Sequence, residues 1–418
     1  MNGRRPSITV LTEYFHPEEA STAQLLTELT TDLTDRFDVS VLTAYPNYHE
    51  EDQSVRVPAS ETYQEVDIRR VRSTRLDKDS FPRRVVNWLT FTLFVLARLL
   101  FDHRRDALLV LSNPPILPFA AWLNRRVRGT PYVYLIYDMY PDMPAELGII
   151  PKDGLLARMW DRAMRPVYRD ADRVVVLGES MERRLTEKLA DDPGFDPEAI
   201  EVIPNWEDEE FIQPRSKEEN EFAREQGTVD AFTLVYSGNV GRYHDLETAI
   251  DAIGLLEERG REDVQLLVIG DGARKAEHQR HVEREGIKNV RFLPFQPLER
   301  VPETLTCGDA SLVGIDETMT GICVSSKLYS SLATGMPVLA VVGEGDEVAR
   351  TVRECDCGVH VQPGDAEAAA ETLARWADDP ETVERLGRNA RQCLEANYTL
   401  EHARRDYATL FEAVTEMS

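Results

Sequence analysis

Short apolar strands alternate with amphipathic helices along most of this 418-residue chain. The pattern opens with a strand at Ser7–Leu11, continues through a helical stretch at 24–35, and returns to a strand at 38–42. A strand–helix–strand unit of this kind predicts parallel strands joined by a right-handed crossover. We therefore expect an α/β fold built from doubly wound, Rossmann-like sheets.

The alternation starts a second time near the middle of the chain, with an apolar strand at 232–236 after a polar stretch at 207–230. A chain of 418 residues exceeds one ordinary hydrophobic core. We expect an N-terminal domain at 1–205, a C-terminal domain at 206–396 and a final helix within 397–418.

The net charge of −26 results from 74 acidic and 48 basic residues, and only seven of the basic residues are lysines against 41 arginines. Abundant carboxylates with arginine in place of lysine are typical of haloarchaeal proteins, whose acidic surfaces maintain solubility in high salt. Such a chain is a poor partner for nucleic acid, because nucleic-acid binding depends on neutralising phosphates with Lys and Arg.

A basic region interrupts this acidity at 66–128, where 13 basic and five acidic residues give a net charge of +8. It contains the most apolar stretch of the chain, 85–101, which includes Arg98 and is shorter than a comfortable transmembrane helix of ~20 residues. A buried core helix is one interpretation. We favour a helix at 83–105 that lies in the plane of an anionic membrane, with its arginines on the headgroups.

Two features bear on the cellular compartment. The N-terminal apolar run is too short for a signal peptide, so we expect a cytoplasmic protein, peripheral on the inner face of the cell membrane. The five cysteines lie in the second half, and Cys355 and Cys357 have no partner pair at metal-site spacing. We expect the cysteines to be small buried residues.

Polar and small residues follow the strands of the second half at one expected edge of the sheet. Glycines allow a backbone to approach a diphosphate, and a cation beside a helix N-terminus attracts its charge. We expect Ser325 and Ser326 to cap a helix beside Lys327. The other candidates are Gly238, Gly241, Arg242, His244 and Arg274.

Two loops of the first half carry further candidates. Carboxylates at strand ends suit proton transfer from, or hydrogen bonding to, sugar hydroxyls. A solvated loop or a helix cap explains the same residues without a function. The candidates are His16, Glu18 and Glu19 after the first strand, and Asp138, Asp142 and Glu146 after the strand at 132–137.

Seven segments resemble, in order and spacing, the retaining GT-B enzymes of glycosyltransferase family 4, in the branch that builds surface polysaccharides of the colanic-acid and O-antigen type. The segments are TEYFHPE, TAYPNY, YDMYPDMPAELG, VIPNW, YSGNVG, VIGDGARK and SSKLYSSLATGMPVLA. The resemblance implies a GT-B fold with two Rossmann-like domains facing across a cleft. It places a nucleotide sugar on the second domain and the acceptor on the first, to which the last helix crosses back.

The resemblance also implies site residues at the matching positions. These are Gly238, Asn239 and Arg242 along the diphosphate; Ser325, Ser326 and Lys327 at the phosphates; Gly270, Asp271, Gly272 and Arg274 beside the nucleotide; Phe295 and Gln296 beside the base; and Asp138 on the acceptor side. Many family members contact the donor with two glutamates, whose positions are here Ile322 and Ser330. We retain Ser330 as a donor-binding position.

These observations predict transfer of a sugar from a nucleoside diphosphate sugar, with UDP favoured over GDP, to a lipid-linked saccharide or polyprenyl or dolichyl phosphate. The resemblance implies retention at the anomeric carbon. No Asp-x-Asp motif stands at a metal-binding position, so we expect neither a metal nor a cofactor, and Arg242 and Lys327 would supply the positive charge. A sugar-nucleotide 2-epimerase and a non-catalytic, nucleotide-sugar-binding partner of another transferase remain as alternatives.

Overall fold

The computed structural model describes residues 4–18, 20–46, 56–76, 80–101 and 105–416. The chain divides into two compact units: unit 1 is Met1–Pro204 with Leu400–Ser418, and unit 2 is Asn205–Thr399. Each unit is built on one sheet of mainly parallel strands. The expected α/β fold with two Rossmann-like domains is therefore confirmed. Glu19, part of the TAYPNY segment and Arg104 lie outside the described residues.

Strands and helices alternate along most of the chain, as predicted, but the antiparallel strands β3 and β4 were not predicted. The described strands are β1 Ser7–Leu11, β2 Asp38–Ala44, β3 Ser60–Tyr63, β4 Val66–Val71, β5 Ala107–Leu111, β6 Tyr132–Ile136, β7 Arg173–Val176, β8 Ile200–Val202, β9 Phe232–Ser237, β10 Val264–Ile269, β11 Val290–Leu293, β12 Ala310–Gly314, β13 Val338–Val341 and β14 Gly358–Val361. The described helices are α1 Ser21–Leu33, α2 Phe81–Phe101, α3 Pro118–Arg128, α4 Asp142–Glu146, α5 Leu155–Arg169, α6 Glu179–Leu189, α7 Glu221–Gln226, α8 Glu247–Glu258, α9 Lys275–Glu285, α10 Val301–Leu305, α11 Lys327–Ala333, α12 Glu347–Glu354, α13 Ala366–Asp378, α14 Pro380–Asn397 and α15 Leu400–Glu416.

The sheet of unit 1 has the strand order β3-β4-β2-β1-β5-β6-β7-β8, and the sheet of unit 2 has the order β11-β10-β9-β12-β13-β14. All neighbouring strands pair in parallel except β3 and β4, which form an antiparallel hairpin. β1, β5 and β6 are buried along their whole length. Strands covered on both faces read as continuous apolar runs, which is why the sequence marks them clearly.

The last helix, α15, belongs to unit 1 although it follows unit 2 in the chain. Its Tyr407 and Phe411 are buried, and the Phe411 ring packs edge-on against Phe37 with centroids 6.0 Å apart. Arg36 and Glu412 form an ion pair of 2.9 Å at the surface. Burial of the apolar face of α15 therefore ties both ends of the chain to the same unit.

Several local expectations differ from the structure. α1 begins at Ser21, ahead of the predicted 24, and a short helix, α7, lies inside the polar stretch predicted as a passage between domains. The capping role predicted for the serines before α11 is wrong. Ser326 has helical backbone angles and its hydroxyl makes no capping hydrogen bond, whereas a capping residue is typically extended.

The cysteines separate into two classes. Cys307, Cys323 and Cys357 lie outside the disulfide and are buried, as expected. Cys355 and Cys393 form a disulfide, which corrects the expectation for those two residues. They are 38 residues apart in the chain, at the end of α12 and within α14. Sequence spacing alone does not reveal a pair that only the packing of two helices brings together.

Two glycine loops of unit 2 run against each other where β9 and β10 end. The Gly238 amide donates to the Ile269 carbonyl at 2.8 Å, and the Val240 amide donates to the Asp271 carbonyl at 2.8 Å. Gly270 has a φ of +144°, and a Cβ there would lie 2.0 Å from the Gly238 carbonyl oxygen. This close backbone contact therefore requires glycine at position 270.

We predict that Gly270→Ala lowers the free energy of unfolding of unit 2 by about 3 kcal/mol, because the new methyl clashes with backbone in a left-handed conformation. Gly286→Ala is the matched control, since Gly286 also has a positive φ of +70° but nothing within 4 Å of its Cβ position. Its expected cost is about 1 kcal/mol. Denaturant unfolding measures both variants, and equal losses would contradict the role assigned to the loop contact.

Candidate functional site

The candidate site of unit 2 centres on Lys327, the first residue of α11. Its Nζ lies 3.5 Å from His244 Nε2 and 5.3 Å from the centre of the Tyr236 ring. A Cβ at Gly238 would lie 3.0 Å from Lys327 Cε, so the glycine makes room for the lysine side chain. The structure thus brings together residues from β9, the loop that follows it and the start of α11.

His244 and Lys327 face each other as two hydrogen-bond donors. The Gly241 amide donates to His244 Nδ1 at 2.9 Å, so the neutral ring carries its proton on Nε2. The ring also hydrogen-bonds to the Asn239 backbone, and its Nε2 lies 3.5 Å from the Lys327 ammonium, which has no lone pair to accept a hydrogen bond. Two adjacent donors that cannot satisfy each other favour an anion with several oxygen acceptors, such as a phosphate.

The electrostatics assign different protonation states to the two groups. Burial lowers the pKa of Lys327 to about 8, so the ammonium is predominantly charged at neutral pH. Burial, followed by the nearby Lys327 charge, holds the pKa of His244 well below its usual range. At neutral pH the pair therefore offers one positive charge and one neutral N–H donor.

The two predicted arginines have different surroundings. Arg242 is exposed in the loop after β9, where its guanidinium is accessible to a ligand. Arg274 pairs with Glu247 at 3.3 Å and with Glu277 at 2.9 Å, and it donates to the His244 carbonyl at 3.5 Å. These carboxylates already balance its charge. In the structure Arg274 therefore supports the loop that carries His244.

The remaining predicted residues of unit 2 lie at or near the same strand ends. Asn239 lies beside Gly272, whose Cβ position is 2.5 Å from Asn239 Oδ1. Asp271 is exposed, and its carboxylate accepts the Gly272 amide. The other four are Ser325, which is buried, Ser326, which is partly buried, Phe295, which is 52% exposed, and Gln296, which donates to the Pro294 carbonyl.

The two positions that depart from the family pattern carry uncharged side chains. Ile322 is completely buried. Ser330 is partly buried within α11, and its carbonyl accepts the Thr334 amide. Neither side chain supplies a negative charge, so the Lys327–His244 pair has no carboxylate from these positions to compete with a bound anion.

In unit 1, Asp138 follows β6, and its backbone amide donates to Ser112 Oγ at 3.2 Å. Burial raises the pKa of its carboxyl to about 6. His16 instead stacks on Tyr63 of β3 with ring centroids 3.9 Å apart, and its carbonyl accepts from Arg70. Its surroundings indicate a structural role in holding the β3–β4 hairpin against the loop after β1.

A cavity of about 240 Å³ lies among the strand ends of unit 1, and sequence reasoning did not predict it. We call it the Trp88 cavity. Its size suits a single sugar ring better than a larger ligand. Two features of the sequence could have indicated this cavity. One is an aromatic residue at the end of a strand, and the other is a helix with aromatic residues along its buried side. The lining residues are Glu13, Tyr14, Arg84, Asn87, Trp88, Asn113 and Tyr140.

One group of side chains within the described residues has the proximity of a metal site. The ligand atoms of Glu247, Asp251 and His281, on α8 and α9, lie within 4.8 Å of one another. His281 Nε2 is 2.6 Å from Asp251, and Glu247 pairs with Arg274. These polar contacts account for the cluster without an ion.

The sequence matches known families over almost its whole length. Residues 22–206 match the family "Glycosyl transferase 4-like domain", and residues 217–393 match "Glycosyl transferases group 1". The probable glycosyltransferase WbjE of Pseudomonas aeruginosa is 31% identical over 299 residues, which cover 71% of this chain and 72% of that protein.

Two further proteins extend the comparison. The putative colanic acid biosynthesis glycosyl transferase WcaI of Escherichia coli is 27% identical over 217 residues, 51% of each chain. The crystal structure of Anabaena HepE in complex with UDP superimposes with a TM-score of 0.73 at 15% identity, covering 97% of this chain and 100% of that one. At this identity the structural likeness concerns the fold.

We predict that UDP binding weakens as the pH rises from about 7 to about 9.5. Lys327 loses its proton as the pH passes its pKa of about 8, and a phosphate binds the ammonium better than the amine. Lys327→Arg keeps its charge over this range, so its UDP affinity is expected to be independent of pH. Calorimetry at several pH values measures this, and a parallel decline in the arginine variant would refute the assignment.

Proposed function

Because the chain belongs to the glycosyl transferases group 1 family, we propose that it transfers a sugar from a nucleoside diphosphate sugar to a lipid-linked acceptor in surface-polysaccharide synthesis. The observation that carries this proposal is the Lys327–His244 donor pair at the carboxyl ends of β9 and β12. Ligands of open α/β sheets bind at this edge. We favour UDP as the nucleotide, as in the HepE complex.

The proposed reaction proceeds with retention and is promoted by positive charge from the protein. As the bond to the donor sugar breaks, negative charge develops on the leaving β-phosphate. The Lys327 ammonium, the His244 Nε2–H and the exposed Arg242 would stabilise that charge, and donors held in place in advance need little reorganisation. Since Ile322 and Ser330 supply no carboxylate nucleophile, attack on the same face that the phosphate leaves is the consistent route.

On the acceptor side we assign Asp138 and the Trp88 cavity. The partly buried Asp138 carboxylate becomes ionised above a pH of about 6 and can then accept a hydrogen bond from an acceptor hydroxyl. The aromatic, amide and carboxylate groups of the Trp88 cavity suit the apolar faces and hydroxyls of one sugar ring. A lipid-linked acceptor implies a protein that works at the cytoplasmic face of the cell membrane.

One alternative has a specific observation in its favour. Ile322, at a position where related enzymes carry a glutamate, is buried in the interior, so a nucleotide-sugar-binding protein without turnover would share this site. A 2-epimerase would share the fold, and its product would be an altered sugar nucleotide formed without an acceptor. An assay that follows labelled sugar distinguishes both alternatives from a transferase, because only a transferase moves the label to an acceptor.

We predict that tritiated sugar from one UDP-sugar enters the lipid extract of host membranes when wild-type protein is added in high salt. Lys327→Ala and Arg242→Ala are each expected to lower the rate by about 10²–10³, the typical effect of removing one transition-state donor. Arg388→Ala, on the surface of α14, is the control for loss of one arginine. Binding of UDP-sugar without label in lipid, from any donor tested, would favour the non-catalytic alternative.

We also predict a bell-shaped dependence of kcat/KM on pH. The rate is expected to rise as Asp138 ionises near pH 6 and to fall as Lys327 loses its proton near pH 8. Asp138→Asn would remove the acid limb, and Lys327→Arg would move the alkaline limb to higher pH. Initial rates across this pH range test both assignments. An unchanged acid limb in Asp138→Asn would show that ionisation of Asp138 does not cause that limb.

A further inference from the structure

Exposed apolar side chains are concentrated in one stretch of the sequence of unit 1. Of the fourteen large apolar residues that are exposed among the described residues, eleven lie between positions 76 and 159. Proteins rarely leave a large contiguous apolar area in contact with water unless another surface covers it. The distribution therefore needs an explanation beyond the packing of the domain.

Helix α2 has two apolar sides. One side, with Trp88, Phe91 and Val95, is buried in unit 1 and packs against α3 and β4. The other side is exposed, with Leu93 62% and Phe101 83% accessible. By length and composition α2 could span a membrane, but only 28% of its most apolar part is buried. Because its buried side belongs to the domain core, the observations fit a helix that contacts lipid from one side.

Helix α5 repeats this arrangement, and sequence reasoning did not predict it. Leu155, Leu156 and Met159 are 75%, 53% and 61% exposed in its first two turns. Arg158 and Arg162 are exposed beside them. The opposite side of the helix buries Met164, Val167 and Tyr168 in unit 1, so the exposed apolar residues are not required for folding.

Tyr140 lies between the two helices. Its ring stacks on Trp160 of α5 with centroids 5.8 Å apart, and it lines the Trp88 cavity together with Arg84 and Trp88 of α2. Helix α3 packs against both α2 and α5. The two helices are therefore linked through Tyr140 and α3, and α2 and Tyr140 line the cavity.

Helices α2, α3 and α5 all carry arginines, in a chain that is otherwise acidic. Arg125 and Arg126 of α3 and Arg165 of α5 pair with aspartates. By contrast, no carboxylate of the described residues forms an ion pair with Arg158 or Arg162 in the structure. Exposed arginines beside exposed leucines match the two parts of an anionic bilayer surface, its headgroups and its acyl chains.

We propose that the exposed sides of α2 and α5 form one docking surface for an anionic lipid bilayer, with α5 as a second lipid contact beside α2. This inference rests on the proposed function, in which the acceptor is carried by a lipid. Docking through both helices places the Trp88 cavity, with Arg84 in its wall, next to the headgroups. A lipid-linked acceptor then reaches the cavity without its chain leaving the membrane.

Co-sedimentation of the full chain with phosphatidylcholine vesicles, with and without phosphatidylglycerol, tests the proposal. The α5 apolar variant is Leu155→Gln/Met159→Gln, and the α5 charge variant is Arg158→Gln/Arg162→Gln. The control Arg385→Gln/Arg388→Gln removes the same charge from α14 of unit 2. Binding is compared at ~0.1 M and ~1 M salt, where the Debye length is about 10 Å and about 3 Å.

We expect wild-type protein to bind vesicles that contain phosphatidylglycerol. The apolar variant should bind about tenfold more weakly at both salt concentrations, because burial of apolar side chains is not screened by salt. The charge variant should bind about tenfold more weakly only at low salt. The control should bind like the wild type.

Three results would overturn the proposal. Wild-type protein that binds no vesicle would exclude docking, and normal binding by both α5 variants would leave α5 without a lipid contact. A dimer in light scattering that the apolar variant dissociates would identify the surface as a contact between copies. UDP affinity in the same samples reports unit 2 separately, so failure of docking with intact UDP binding leaves the proposed function standing.

Discussion

The partly buried ammonium of Lys327 is the feature on which the candidate donor site depends. Burial deprives the charged group of hydration, which lowers its pKa to about 8. Two neighbours accommodate the buried ammonium. Gly238 leaves room for the lysine side chain, and the Tyr236 ring lies 5.3 Å from the ammonium. A bound phosphate would replace the lost hydration, so the site favours an anion.

The surroundings of Lys327 are arranged so that this charge stays available. Arg274, also a cation near the same loop, is balanced by Glu247 and Glu277. The neutral ring of His244 carries its proton on Nε2, near the Lys327 ammonium, because the Gly241 amide donates to Nδ1. Arg274 thus stabilises the loop, whereas Lys327 is available to bind the ligand. Ile322, buried and uncharged, adds no carboxylate that would compete with a phosphate.

The fold could be predicted from the sequence because its strands are covered on both faces and its loops carry Gly, Arg, Lys and Ser at strand ends. The individual residues Lys327 and His244 were predicted for the same reason. Their contact was not, because they are 83 positions apart and meet only where the start of α11 approaches the loop after β9. The Cys355–Cys393 disulfide and the Trp88 cavity were not predicted for the same reason, because each depends on elements that are distant in sequence.

The segment around α2 shows why one sequence can favour two interpretations. A core helix and an interfacial helix share a high apolar content, and composition does not separate them. The structure assigns Trp88 and Val95 to the core and leaves Leu93 and Phe101 exposed. One side of the helix thus belongs to the core, and the exposed side is the one that we propose contacts lipid. The Arg84 guanidinium lies 5.3 Å from the centre of the Trp88 ring, and both residues line the cavity. The packing of α2 in unit 1 therefore shapes the cavity that we propose a lipid-borne acceptor enters.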